Sequence, residues 1–361
     1  MQTTTRSAAA RRLLPLATLL ALTMAPAAHA ASMEFDWRGI GQVTGVRATD
    51  VPRGSGDGWN AYAGYALSGD ATVITDSGLS YGLGGTVGSG DYEKSLDRPG
   101  NNADLTMNEV YVHVTSAWGR VRVGDDDGAA KRAIDMLPLL AGGQMDGFWA
   151  NTDGAGSYWN HLGRDSDDAT KVLYETPRLM GLRAGVSYAW KRDSLVENIK
   201  KESPIPAERD MWELGLNYQG DYRAFSYELA AGYVRGEAGA PGIHDTESLK
   251  LAGLLLYGGF SAGAIWTDDG KSGQPDGIGS SSGLTLMSSY ENGPYGLAVW
   301  WQGSERGRVE DYNAYGMGLS WRFYEQTSLG FDLVRYDADR LAGFGESAKG
   351  WSGALTLQTR I

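Results

Sequence analysis

The stretch Leu182-Arg183-Ala184-Gly185-Val186-Ser187-Tyr188-Ala189-Trp190-Lys191 decides the fold. Leu182, Ala184, Val186, Tyr188 and Trp190 alternate with Arg183, Gly185, Ser187, Ala189 and Lys191, so an extended strand gains one apolar face and one small or polar face. The same period recurs downstream. Trp212, Leu214, Leu216 and Tyr218 alternate with Met211, Glu213, Gly215 and Asn217; Phe225, Tyr227, Leu229, Ala231 and Tyr233 alternate with Ala224, Ser226, Glu228 and Ala230. Near the end, Trp351, Gly353, Leu355, Leu357 and Ile361 alternate with Ser352, Thr356, Gln358 and Arg360. A soluble sandwich alternates too, but it turns its apolar side into a packed core. Tyr and Trp at the strand ends fit a lipid-facing band bordered by aromatic girdles better.

Strand length agrees. A band about 25 Å tall, crossed at about 40° with roughly 3.3 Å per residue, needs about ten residues. Working outward from these runs, strands are expected near 36–47, 59–75, 79–90, 105–116, 119–125, 169–177, 181–192, 209–219, 222–235, 246–258, 259–268, 281–291, 294–305, 309–322, 325–338 and 348–361. Sixteen is an even number, as an up-and-down antiparallel transmembrane barrel requires. The turn chemistry of Asp76-Ser77-Gly78, Gln219-Gly220-Asp221 and Glu291-Asn292-Gly293-Pro294 suits hairpins. Longer Gly-, Asp-, Pro- and Ser-rich links alternate with them at 48–58, 91–104, 193–208, 236–245, 268–280 and 339–347. The expected class is therefore all-β.

Composition is compatible. The chain holds 12 Trp, 19 Tyr and 52 Gly, and no Cys, which excludes disulfides and thiol chemistry. Arg6, Arg11 and Arg12, the apolar run Leu13–Met24 and the small residues of Ala28-His29-Ala30 read as a signal peptide over 1–30, cleaved after Ala30. The barrel then occupies 31–361. Without the three signal arginines, 29 basic residues stand against 44 acidic ones, which excludes nucleic acid as a partner. Beyond the signal, no stretch of eighteen apolar residues offers a spanning helix.

One connection stands apart. Residues 126–168 contain no clean strand, and so long a link inside a compact domain is uncommon. They hold Ile134-Asp135-Met136-Leu137-Pro138-Leu139-Leu140, read as a short helix, and the aromatics Phe148, Trp149, Tyr158 and Trp159. A barrel of this size leaves an aqueous lumen, and this third loop is expected to fold into it. Its aromatics suit either a stacking track for sugars or plain anchors for the loop, the latter being commoner.

Asn108-Glu109-Val110-Tyr111-Val112, followed by Trp118-Gly119-Arg120-Val121-Arg122-Val123-Gly124 and Gly128-Ala129-Ala130, resembles the general porins of Gram-negative bacteria, most of all the alphaproteobacterial (Rhodobacter-type) branch. Thr75-Asp76-Ser77-Gly78-Leu79-Ser80-Tyr81-Gly82 is similar to an early hairpin of the same branch. The resemblance implies an outer-membrane location, a homotrimer set among lipid and lipopolysaccharide, and a pore for small polar solutes narrowed by the 126–168 loop. The chain departs from the family by ending in Ile361 rather than an aromatic residue, and by Trp118-Gly119 in place of Phe-Gly. A channel selective for sugars is the nearest alternative. A secreted soluble β-rich carbohydrate-binding protein is the rival from another class.

Alternation places candidate site residues. Arg38, Arg120, Arg122 and Arg183 lie opposite apolar neighbours and are expected to form a basic inner wall, since a lipid-facing charge costs roughly 2–4 kcal/mol at mid-bilayer. The loop offers Asp126, Asp127, Asp135, Asp146 and Asp153 against them. Two readings stand side by side: a transverse field that sorts ions and dipolar solutes, or ion pairs that merely pin the loop. No cofactor is expected. Asp125 and Asp127 suggest a structural calcium, against which stands the poor convergence of adjacent carboxylates on a strand end. His113, His161 and His244 have no metal-ligand spacing and no nucleophile motif beside them, so no catalytic residues are assigned. His113 is expected to point inward with Tyr111. Gly82-x-Gly84-Gly85 lies within a strand, which fails the context of a nucleotide loop.

Overall fold

The computed structural model describes residues 30–49, 59–89, 105–134, 163–194, 207–341 and 347–361. The sixteen strands are β1 (Ala30–Ala48), β2 (Trp59–Thr75), β3 (Ser80–Ser89), β4 (Leu105–Ser116), β5 (Gly119–Asp125), β6 (Thr170–Glu175), β7 (Leu182–Lys191) and β8 (Arg209–Tyr222), then β9 (Phe225–Glu237), β10 (Thr246–Tyr257), β11 (Phe260–Gly270), β12 (Ser281–Asn292), β13 (Tyr295–Arg306), β14 (Glu310–Tyr324), β15 (Thr327–Arg340) and β16 (Ala348–Arg360). Each pairs antiparallel with its sequence neighbour, and β1 closes on β16. Among the described residues there is a single α-helix, α1 (Ala129–Ile134), and no helix long and apolar enough to cross a membrane.

Closure removes the sheet edge that lipid would leave unsatisfied. It is completed by the last residue: Ile361 and Gly39 exchange backbone hydrogen bonds at 2.8 Å, and the Ile361 side chain lies over the space that Gly39 leaves by having no Cβ. Aliphatic Ile361 thus occupies the seam between β1 and β16.

The two faces of the wall differ as the alternation requires. In β8, Trp212, Leu214 and Leu216 are about half exposed, whereas Met211, Glu213 and Asn217 are buried. In β10, Leu249 and Leu251 are exposed and Lys250 between them is completely buried. A soluble protein would reverse this, so the secreted carbohydrate-binding rival is excluded. Outward rings border the band at both ends. Phe225 stacks on Tyr257 with centroids 4.6 Å apart, and Phe260 meets Tyr290 at 4.3 Å, all beside short turns. Tyr188 meets Trp212 at 4.6 Å toward the opposite rim. At roughly 3.3 Å per residue and the tilt of about 40° usual for such barrels, the run from Tyr257 to Glu247 in β10 is long enough to cross a band about 25 Å tall.

One local expectation is corrected. Gln219-Gly220-Asp221 does not turn; it continues β8, and the hairpin reverses at Arg223-Ala224, with Arg223 at φ 57° and Tyr222 facing Phe225. Ladder pairing with β9 outweighs the turn preference of Gly-Asp. A helix not foreseen from the sequence, α1, spans Ala129–Ile134; of the short helix expected over 134–140, residues 135–140 lie outside the described residues. The reason for α1 is tertiary. α1 packs on β7, β8 and β9, where Gly215 leaves room for Ala129 and Ala133.

The pore lining and the neck of its loop

Directly opposed residues share a face, so the register sorts the lining. Arg183 faces Asn217, Arg122 faces His113, and Arg38 faces Ser68, all on the side away from the exposed leucines. All four expected arginines therefore point inward, as does His113 together with Tyr111. They are not equivalent. The Arg120 side chain is 30% exposed and its Nη2 lies 3.4 Å from Asp70 Oδ2. Arg122 is only 7% exposed; its Nη1 is 2.9 Å from Asp126 Oδ2, and its guanidinium rests on the Tyr111 ring at 4.5 Å. Arg38 and Arg183 make no ion pair with any described residue.

His113 donates from Nε2 to Asp70 Oδ1 at 2.9 Å, and so lies within one cluster with Asp70, Thr72 and Arg120. It can reach that far because Gly82 of β3 has no side chain in its path.

The acidic residues of the loop divide. Asp126 is 1% exposed and lies between Arg122 and Arg132, the latter also 3.4 Å from Glu175. Asp127 pairs with Lys131 at 2.6 Å. Asp135, Asp146 and Asp153 lie outside the described residues, as do Phe148, Trp149, Tyr158, Trp159, His161 and most of the loop. Asp125 is turned away from Asp127, toward Thr170 and Ser194. The two carboxylates expected to share calcium therefore do not converge. Asp127 instead meets Glu109 and Asp168, oxygens within 4.8 Å of one another, with Lys131 as the resident positive charge.

Charges that the sequence did not single out hold the far side of the neck. Lys250 bonds Asp165 at 3.0 Å, Arg164 bonds Glu208, and Arg192 bonds Asp167 at 3.3 Å. Burial acts against the charge of Asp165, yet Lys250 and Lys131 outweigh it and hold this carboxyl far below the ordinary aspartate value. Burial likewise opposes ionised Glu208, and Arg164 and Arg192 bring its pKa down. For Lys131, burial is outweighed by Asp127, Asp165 and Asp168, which raise its pKa well above the ordinary lysine value. The neck is thus laced by paired opposite charges. The signal for them in the sequence is a charged residue at an inward position of an otherwise plain strand, as with Lys250 between Leu249 and Leu251; the partners are not visible there.

A closed barrel with an apolar exterior and a polar interior, with the two limbs of its third loop held on the inner wall, is a membrane channel. The chain belongs to the Gram-negative porin family, whose model matches residues 17–356. It is an outer-membrane pore for passive diffusion of small hydrophilic solutes and ions, not an enzyme. Solved structures of the same fold include variants of the porin of Rhodopseudomonas blastica. One is 17% identical with a TM-score of 0.59, a triple mutant is 17% identical at 0.58, and another multiple mutant is 18% identical at 0.57. Each alignment covers 91% of this chain and 100% of that one. No protein of curated function matches the chain by sequence.

Proposed function

We propose that ion and solute preference in this pore is set by the charges still in contact with lumenal water once the loop's ion pairs are formed. Arg38, Arg120 and Arg183 are the basic members of that set; Arg122, Asp126 and Asp127 are fastenings for the loop. The observation that carries this is the contrast between neighbours on β5: Arg120 is 30% exposed at its side chain, while Arg122 is enclosed against Asp126. A charge near water at a narrow zone acts on a passing ion, whereas a neutralised, enclosed pair presents almost no net field. Arg120→Glu is expected to move the zero-current potential in a tenfold salt gradient toward cation preference, and Arg122→Met to move it much less. Equal shifts from the two variants would overturn the division of roles.

The setting belongs to the same proposal. Cleavage after Ala30 would leave β1 intact from Ala31 onward, with lipid and lipopolysaccharide around a homotrimer. Heating the purified protein in SDS should convert one slow band to monomer. No resident calcium is needed, because Lys131 already supplies the cation beside Asp127, Glu109 and Asp168. Chelation with EDTA is therefore expected to leave conductance unchanged; a loss restored by calcium would refute this.

A further inference from the structure

The neck of the third loop is closed by two wall residues of opposite charge. Lys171 on β6 donates from Nζ to two backbone carbonyls, those of Asp126 and Asp167. Glu213 on β8 accepts from the backbone amide of Ala130 at 3.0 Å, from the amide of Ser166 at 2.8 Å and from the Ser166 hydroxyl at 2.5 Å. The chain leaves the wall through 126–130 and returns through 163–167. Each of the two residues therefore grips both limbs, the lysine by carbonyls and the glutamate by amides. The fit is close on the loop side too: a Cβ at Gly128 would fall on the Glu213 carboxylate.

Both residues are enclosed, Lys171 at 0% and Glu213 at 1% exposure, and neither forms an ion pair with a described residue. A buried charge without a counter-ion persists only where dipoles solvate it. Here the dipoles come from the loop itself, so each charge strongly favours the one loop position that solvates it. Neutral side chains of equal size would fill the wall without that demand.

We infer that Lys171 and Glu213 act together as a buckle that fixes where the third loop enters the lumen, and so set the open cross-section of the pore. They are positioning residues. The inference rests on the pore function but not on which charges set selectivity, so its variants should change conductance while leaving ion preference alone.

The test is single-channel recording, with liposome swelling by neutral sugars of graded size, on Glu213→Gln, Lys171→Met and the double variant. Each single variant is expected to run as a heat-modifiable barrel, to change conductance by roughly 1.5-fold or more and to shift the size cut-off. The double variant should add little to either single, because both hold one neck. Should a wall variant fail to assemble, Gly128→Ala and Ser166→Ala disturb the same neck from the loop side, and the same change in conductance and cut-off is expected of them. Folded variants with parental conductance and cut-off would overturn the buckle. So would a fall in melting temperature with no change in either, which is what a purely structural role gives. A shift in reversal potential without a change in conductance would contradict the buckle and bear on the selectivity proposal instead.

Discussion

Leu216→Arg is expected to cost ~2–4 kcal/mol of folding stability in lipid, close to abolishing assembly for a marginally stable barrel. Leu216 is about half exposed on the outer face of β8, with Leu214 and Trp212 on the same face. An arginine there must either shed its water in hydrocarbon or thin the bilayer around it. Gln219→Arg, three residues along on the inner face, keeps its charge in lumenal water and should fold almost as well as the parent. The folded fraction in liposomes, read from the unboiled band on a gel during a urea titration, separates the two. Equal tolerance at both positions would mean that the faces have been assigned the wrong way round.

The second large effect is expected at Asp126. Asp126→Asn leaves Arg122 enclosed without its carboxylate, and breaking one side of a buried pair costs ~3–5 kcal/mol. Arg132 still has Glu175, so the damage centres on Arg122 and the start of the loop. The barrel should remain closed, because the strand ladders are untouched, while the loop becomes open to limited proteolysis and the channel becomes noisy. Adding Arg122→Met is expected to recover most of the loss, since removing both partners of a buried pair is far cheaper than removing one. A double variant as damaged as the single would mean that the pair does not carry the anchoring.

These predictions mark how far the sequence could be read. Strand membership was legible because it is local: each apolar residue two positions from the next reports the same neighbour, lipid. The expected spans of β2, β4 and β5 coincide with the structure, and the other described strands differ from theirs at the ends. Failures arose where distant contacts compete with local preference. Gly220-Asp221 favours a turn on its own, yet pairing with Tyr227 and Ser226 carries β8 past it. Ala129-Ala130-Lys131-Arg132-Ala133 has no amphipathic stripe of the usual kind, and only the flat glycine-lined wall of β8 and β9 makes a helix settle there.

The site was legible by type and not by partner. That Arg120, Arg122 and Arg183 face inward follows from parity alone. That Arg122 is spent on Asp126, while Arg120 stays near water, depends on how the chain bends after Gly124, which no spacing rule gives. Lys171 and Glu213 are the clearest case. Both are ordinary charged residues in alternating strands until the register sets their side chains across the same two limbs of one loop.

The central claim is that the polar face of the wall encloses water continuous across the membrane. The most direct test is planar-bilayer recording of the detergent-purified, heat-modifiable protein at low concentration in potassium chloride. Uniform stepwise rises in current that stay open at low voltage are predicted. A correctly folded barrel that inserts into the same bilayers and leaves them sealed to potassium and chloride would contradict it.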